Sequence, residues 1–203
     1  MSVQRPTGDQ SPVWVRAASI TAAFVALLWV LELVDTLDHH RLDAYGISPR
    51  SEQGLRGILF APLLHAGWGH LEGNTVPVLV LGFLVLLSGI RRGLVTTAVI
   101  WLVAGVGVWL VAPDNTLHLG ASVLVFGWLV HLVVRGIFSH RPGQIVLGIV
   151  LFLGYGGLLL GVLPGQPGVS WQGHLFGAVG GALAAVLVSP RRRSVARSGA
   201  RLS

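Results

Sequence analysis

The chain has 203 residues, 53% of them hydrophobic and only 11% charged, with a mean hydropathy of +0.73; soluble globular domains carry roughly 25% charged residues. A water-soluble core cannot use this much apolar surface, so the composition points to an integral membrane protein. The absence of cysteine excludes disulfides, thiolate zinc sites and a cysteine nucleophile, while the formal net charge of +6, all of its basic residues arginine, is explained by loops facing the cytoplasm rather than by nucleic acid.

Residues 1–13 read as a cytoplasmic N-terminal segment. Six apolar spans follow, about Trp14–Val34, Leu71–Ile90, Gly93–Ala112, Leu119–Val134, Ile145–Leu163 and Trp171–Val188, the fourth near the lower limit of length. The first span lacks a small-residue cleavage pattern before "ELVDTLDHH" and reads as a retained span, not a signal peptide. Between the first two spans, "ILFAPLL" at Ile58–Leu64 is too short to cross and is expected to be interfacial or re-entrant. Residues 191–203 form a basic tail, read as a topology and headgroup anchor. Arginines cluster between spans 2 and 3, between 4 and 5, and after 6, whereas Asp35, Asp38, Asp43, Glu52 and Asp114 gather in the opposite loops. The positive-inside rule therefore places both termini in the cytoplasm and the long first loop outside.

In that topology spans 2, 4 and 6 run in the same direction, and their first turns share one depth. They carry His70 and Asn74, then Ser122, then His174. Polar groups in a bilayer are costly and usually face the bundle interior or a wet cavity, so a shared cavity is the economical explanation. His70 and Asn74 are four apart and share a helix face, with Glu72 on another. Ser122 sits at a helix N-terminus, whose unpaired N–H groups favour an anion, and Gly120 clears a side chain just before it. Gly177 and Gly181 form a small-residue groove below His174. If that groove packs on span 4, His174 can reach the Ser122 hydroxyl as its general base. No acidic residue lies at that depth on span 6, which suggests a Ser–His dyad. The Ser122 backbone N–H, the His70 imidazole and the Asn74 amide are placed to stabilise an oxyanion.

This constellation resembles the rhomboid intramembrane serine proteases. The His-x4-His-x3-Asn signature appears as "HAGWGHLEGN" (His65, His70, Asn74), the serine pattern as "GASVLVFG", and the last-span pattern as "GHLFGAVGG" from Gly173 to Gly181. The resemblance covers the six-span core, residues 14–190. It implies an all-α, six-transmembrane-helix bundle whose short fourth helix carries the nucleophile. It also implies a serine endopeptidase that cuts membrane-protein substrates in or near their transmembrane segments, without cofactor, metal or nucleic acid. The Pro164–Gly168 loop would cap the cavity, spans 2 and 5 would form a lateral gate, and the first loop would be a brace. The sequence departs from the family pattern in Val123, where glycine usually follows the serine, and in Leu55-Arg56, where a Trp-Arg pair is familiar. A β-branched Val123 is expected to crowd the contact between spans 4 and 6 or the cleft.

His39 and His40 lie in an acidic loop without regular ligand spacing and read as solvated. The competing functions are a catalytically silent rhomboid-like protein that binds membrane segments and a small transporter with a histidine relay. The second would need titratable groups at several depths, and the inner halves of the spans hold only His131. The all-arginine, alanine- and valine-rich composition fits a GC-rich bacterium and hence a bacterial cell membrane.

Overall fold

The computed structural model describes residues 11–139, 141–166 and 168–188; the basic tail and most of the N-terminal segment lie outside them. Its α-helices are α1 (Val13–Leu37), α2 (Glu52–Phe60), α3 (Trp68–Leu87), α4 (Ile90–Val111), α5 (Ser122–Ser139), α6 (Pro142–Tyr155) and α7 (Trp171–Val188). Among the described residues, five helical stretches are long and apolar enough to cross a membrane: α1, α3, α4, Pro142–Val162 and α7. The apolar part of α5, Ser122–Ile137, is shorter. These helices are apolar around most of their circumference, with residues such as Leu102 and Leu153 exposed, the pattern of a bundle surrounded by lipid. The chain is an all-α, multi-pass integral membrane protein.

Several boundaries differ from those expected. The fourth span does not begin at Leu119 but at Ser122, because Gly120 has φ +125°, which no right-handed helix accommodates. It also runs on to Ser139, past Val134. The fifth is α-helical only to Tyr155 and then tightens into a 3-10 stretch, Gly156–Val162. Ile90, expected to end the second span, instead opens α4 after Gly89 at φ +122°.

The "ILFAPLL" patch supplies the last residues of α2 and the following 3-10 turn, Ala61–Leu63. At nine residues, α2 is too short to cross a bilayer. Ser51 Oγ caps it by accepting from the Gly54 N–H at 2.9 Å. Indole N–H groups of α4 pin it down: Trp101 donates to the Ile58 carbonyl at 2.8 Å and Trp109 to the Ser51 carbonyl at 2.9 Å.

Helix α7 is packed between α4 and α5. A Cβ at Gly177 would strike the Val123 carbonyl, one at Gly181 the Gly127 carbonyl, and one at Gly180 would come 2.9 Å from Ile100 Cα. The glycines thus let α7 approach both neighbours backbone to backbone. This close approach sets the register between Ser122 and His174.

Candidate active site

The segment before α5 is suspended from the first loop. Ile47 and His118 exchange backbone hydrogen bonds (2.8 and 3.1 Å), Gly120 N–H donates to the Ala61 carbonyl at 2.8 Å, and Ala121 N–H donates to His65 Nε2 at 3.3 Å. Ser122 is the first residue of α5, where a backbone N–H has no acceptor within its own helix.

From α7, His174 Nε2 lies 2.9 Å from Ser122 Oγ, and its Nδ1 lies 3.0 Å from the Gly161 carbonyl oxygen. A carbonyl only accepts, so Nδ1 carries the hydrogen and Nε2 of the neutral ring is the acceptor for the serine hydroxyl. Phe126, one turn beyond Ser122 on α5, stacks on the His174 ring at 4.0 Å between centroids and 10° between planes. Gly161 is forced to be small: a Cβ there would lie 2.9 Å from the Phe126 ring and 3.0 Å from His174 Nδ1. Serine, imidazole, aromatic and carbonyl therefore hold one another in place.

These groups line a cavity of about 770 Å³ together with His70 and Asn74. The Ala66 N–H donates to His70 Nδ1 at 3.4 Å, leaving the hydrogen on Nε2. That edge of the ring faces Gly120, where a Cβ would come 2.8 Å from Nε2. Asn74 is buried and gives one amide hydrogen to the His70 carbonyl at 2.8 Å, which leaves the second. The structure thus brings Ser122, His174, His70, Asn74 and Gly120 to one place, with Gly177 and Gly181 at the α5–α7 contact. Glu72 is exposed and outside the cavity lining.

Val123 does not crowd the cleft. It lies off the large cavity, its Cγ1 occupying the space opened by Gly173, where a Cβ would be 3.1 Å away. The expected clash is relieved because α7 carries glycine at both positions facing it.

Sequence reasoning passed over other participants. Phe126 could have been found from its i+4 spacing to Ser122, but the Gly161 carbonyl is main chain and leaves no signal. His118 and Ser170 were missed as well. Thr116 Oγ1 donates to the Pro113 carbonyl at 2.6 Å, so it accepts from His118 Nε2 at 2.8 Å. His118 Nδ1 then accepts from Ser170 Oγ at 2.7 Å, while Ser170 Oγ caps α7 by accepting from the Gly173 N–H at 3.3 Å. This relay ties the serine-bearing segment to the start of the histidine-bearing helix. Burial holds the His118 imidazole below its ordinary value, in keeping with a neutral ring that both donates and accepts.

Residues 52–191 match the Rhomboid domain family. An uncharacterized protein of Mycobacterium bovis is 48% identical over 221 aligned positions, which cover 99% of this chain and 92% of that protein; one from Mycobacterium tuberculosis gives the same values. An uncharacterized protein of Mycobacterium leprae is 45% identical over 190 positions, covering 89% of this chain and 75% of its own. With the family match spanning more than half of the sequence, the chain belongs to the rhomboid family.

Proposed function

We propose that the chain is an intramembrane serine endopeptidase that cleaves peptide bonds in or near transmembrane segments of other membrane proteins through a Ser122–His174 dyad. Rhomboid family members are typically intramembrane proteases. The observation that carries the assignment for this chain is the 2.9 Å approach of Ser122 Oγ to His174 Nε2, with the opposite ring nitrogen held by Gly161. The residues 14–190 are the catalytic domain, flanked by cytoplasmic segments 1–13 and 191–203. The distribution of arginine supports an orientation in which the cavity opens to the extracytoplasmic side of a bacterial membrane.

His174 Nε2 takes the Ser122 hydroxyl proton as Oγ attacks the substrate carbonyl. The developing oxyanion accepts from the Ser122 N–H, from His70 Nε2–H and from the remaining Asn74 amide hydrogen. The imidazolium, its Nδ1–H on the Gly161 carbonyl, returns its proton to the leaving amine as the C–N bond breaks. Water from the cavity then repeats the sequence on the acyl-enzyme, releasing the carboxylate product and the free serine. A lone oxyanion donor of this kind is worth about 100- to 1000-fold in rate.

The test uses purified protein in proteoliposomes with a reporter carrying a transmembrane segment, alongside a fluorophosphonate probe. The parent is expected to cut and label; Ser122→Ala and His174→Ala are expected to lose cleavage while their melting curves stay near the parent's. Cleavage by Ser122→Ala at the parent's rate would overturn the nucleophile assignment. A parent that binds membrane segments without cutting or labelling would establish the silent reading instead.

A further inference from the structure

A second group of polar side chains lies at the end of α1 and the start of the first loop. Glu32 and Asp35 are three residues apart on one face of the helix, and both are buried, at 1% and 2% exposure. Past Leu37 the chain takes left-handed backbone at successive non-glycine residues, His39 at φ +56° and His40 at φ +59°, a conformation such residues seldom adopt. This turn carries His40 back until its Nδ1 lies 3.2 Å from Asp35 Oδ2. The Leu42 N–H fixes the other carboxylate oxygen of Asp35 at 2.7 Å. Asp43 follows in the 3-10 turn Leu42–Tyr45. One donor atom from each of Asp35, His40 and Asp43 lies within 4.8 Å of the others.

The group is short of positive charge. Both carboxylate oxygens of Glu32, and Asp43 Oδ1, are buried and meet no hydrogen-bond donor among the described residues. Glu32 lies within electrostatic range of Asp35, Asp43 and His40. Among the described residues arginine does not fill the deficit: Arg41 turns outward to Asp38 at 3.6 Å, and Arg50 pairs with Asp114. Burying carboxylates without a counter-charge costs several kcal/mol per ion, and a cation held by Asp35, His40 and Asp43, with Glu32 in electrostatic range, lowers that cost.

We propose that Asp35, His40 and Asp43, with the buried carboxylate of Glu32 behind them, bind a divalent transition-metal ion of the Zn²⁺ class. Carboxylate oxygens combined with one imidazole nitrogen suit such an ion. Tetrahedral ligands at about 2.0–2.1 Å from zinc lie roughly 3.3 Å apart; Asp35 Oδ2 and His40 Nδ1, joined by a 3.2 Å hydrogen bond, stand at that spacing, and the ion would replace the Nδ1 proton between them. The His40 side chain is 52% exposed, so the ion has a route in from solvent. The ion joins the end of α1 to the first loop. Asp43 also forms part of the wall of the 770 Å³ cavity, so the same ion stiffens that wall. The sequence offers no ligand spacing here, because the left-handed turn at His39-His40 creates the convergence. The inference does not depend on the protease reading.

The experiment uses the full chain without a polyhistidine tag, in detergent, stripped with a chelator and then titrated with ZnCl₂ by calorimetry, with MgCl₂ as comparator. The parent is expected to take up one equivalent of Zn²⁺ and to melt at a higher temperature when loaded. Asp35→Asn, Asp43→Asn and His40→Ala should each weaken binding by about tenfold or more. His40 is exposed enough for its variant to fold as the parent does, which keeps the test decisive if an aspartate variant fails. A folded parent that takes up no Zn²⁺ would overturn the proposal. So would binding of undiminished affinity in His40→Ala and Asp35→Asn, which would move the site to other histidines.

Discussion

At the scale of single residues, the proposed reaction centre depends on which atom carries which proton. The Gly161 carbonyl places a hydrogen on His174 Nδ1, and the Ala66 N–H keeps one off His70 Nδ1, so Nε2 of the first ring accepts and Nε2 of the second donates. The sequence spacing was enough to single out Ser122, His174, His70 and Asn74, because polar side chains are rare in these spans and stand out. It could not reveal Gly161, whose contribution is a backbone oxygen, or the direction in which Val123 points. That direction bears on a test. Val123 fills the space beside Gly173 rather than the cleft, so Val123→Gly is expected to leave turnover unimproved. It should lower the melting temperature, since the valine packing beside Gly173 is lost. Reporter cleavage and a tryptophan-fluorescence melt measure both effects; a rise in turnover at unchanged stability would contradict this placement.

At the scale of elements, the segment ahead of α5 is positioned by what it hangs from. Its bond from the Ala121 N–H ends on His65 Nε2, which can accept only while that nitrogen is bare. Burial, together with the neighbouring His70 ring, brings the His65 imidazole down to about 3. The folded value lies below the ordinary histidine value of about 6.5, so below that pH the unfolded chain binds more protons than the folded one. Stability is therefore complete above about pH 6.5 and declines as pH falls, by about 2 kcal/mol at pH 5 from this residue. The melting temperature is expected to drop between pH 7 and pH 5. In His65→Gln, whose side-chain oxygen accepts without titrating, the drop should be smaller; an equal drop would place the acid sensitivity elsewhere. Element boundaries were legible where punctuation is strong: α7 begins at Trp171, as hydropathy predicts. They were not legible at Gly120 or Gly156, because hydropathy responds to side-chain polarity and not to a left-handed φ or to a change from α to 3-10 winding.

At the scale of the whole molecule, the apolar periphery and helical architecture follow directly from composition. The central position of α7 follows from its glycines, whose spacing is visible in the sequence although their partners are not. Orientation in the bilayer rests on the arginines, and the chain is suited to testing it because it has no cysteine. Asn115→Cys, in the exposed turn after α4, is expected to react with a membrane-impermeant maleimide on intact cells. Arg92→Cys, exposed near the start of α4, should react only after permeabilisation; the reverse pattern would invert the topology. The acceptor for His174 resides on the stretch Pro142–Val162, which has the smallest buried share among the spanning helices. A main-chain oxygen cannot be deleted by exchanging a side chain, so that partner is lost only through movement, of this peripheral stretch or of the ring itself. Under the proposed reading, a substrate entering from the lipid past this stretch would loosen the imidazole as it passes, and re-seating of the stretch would restore its partner.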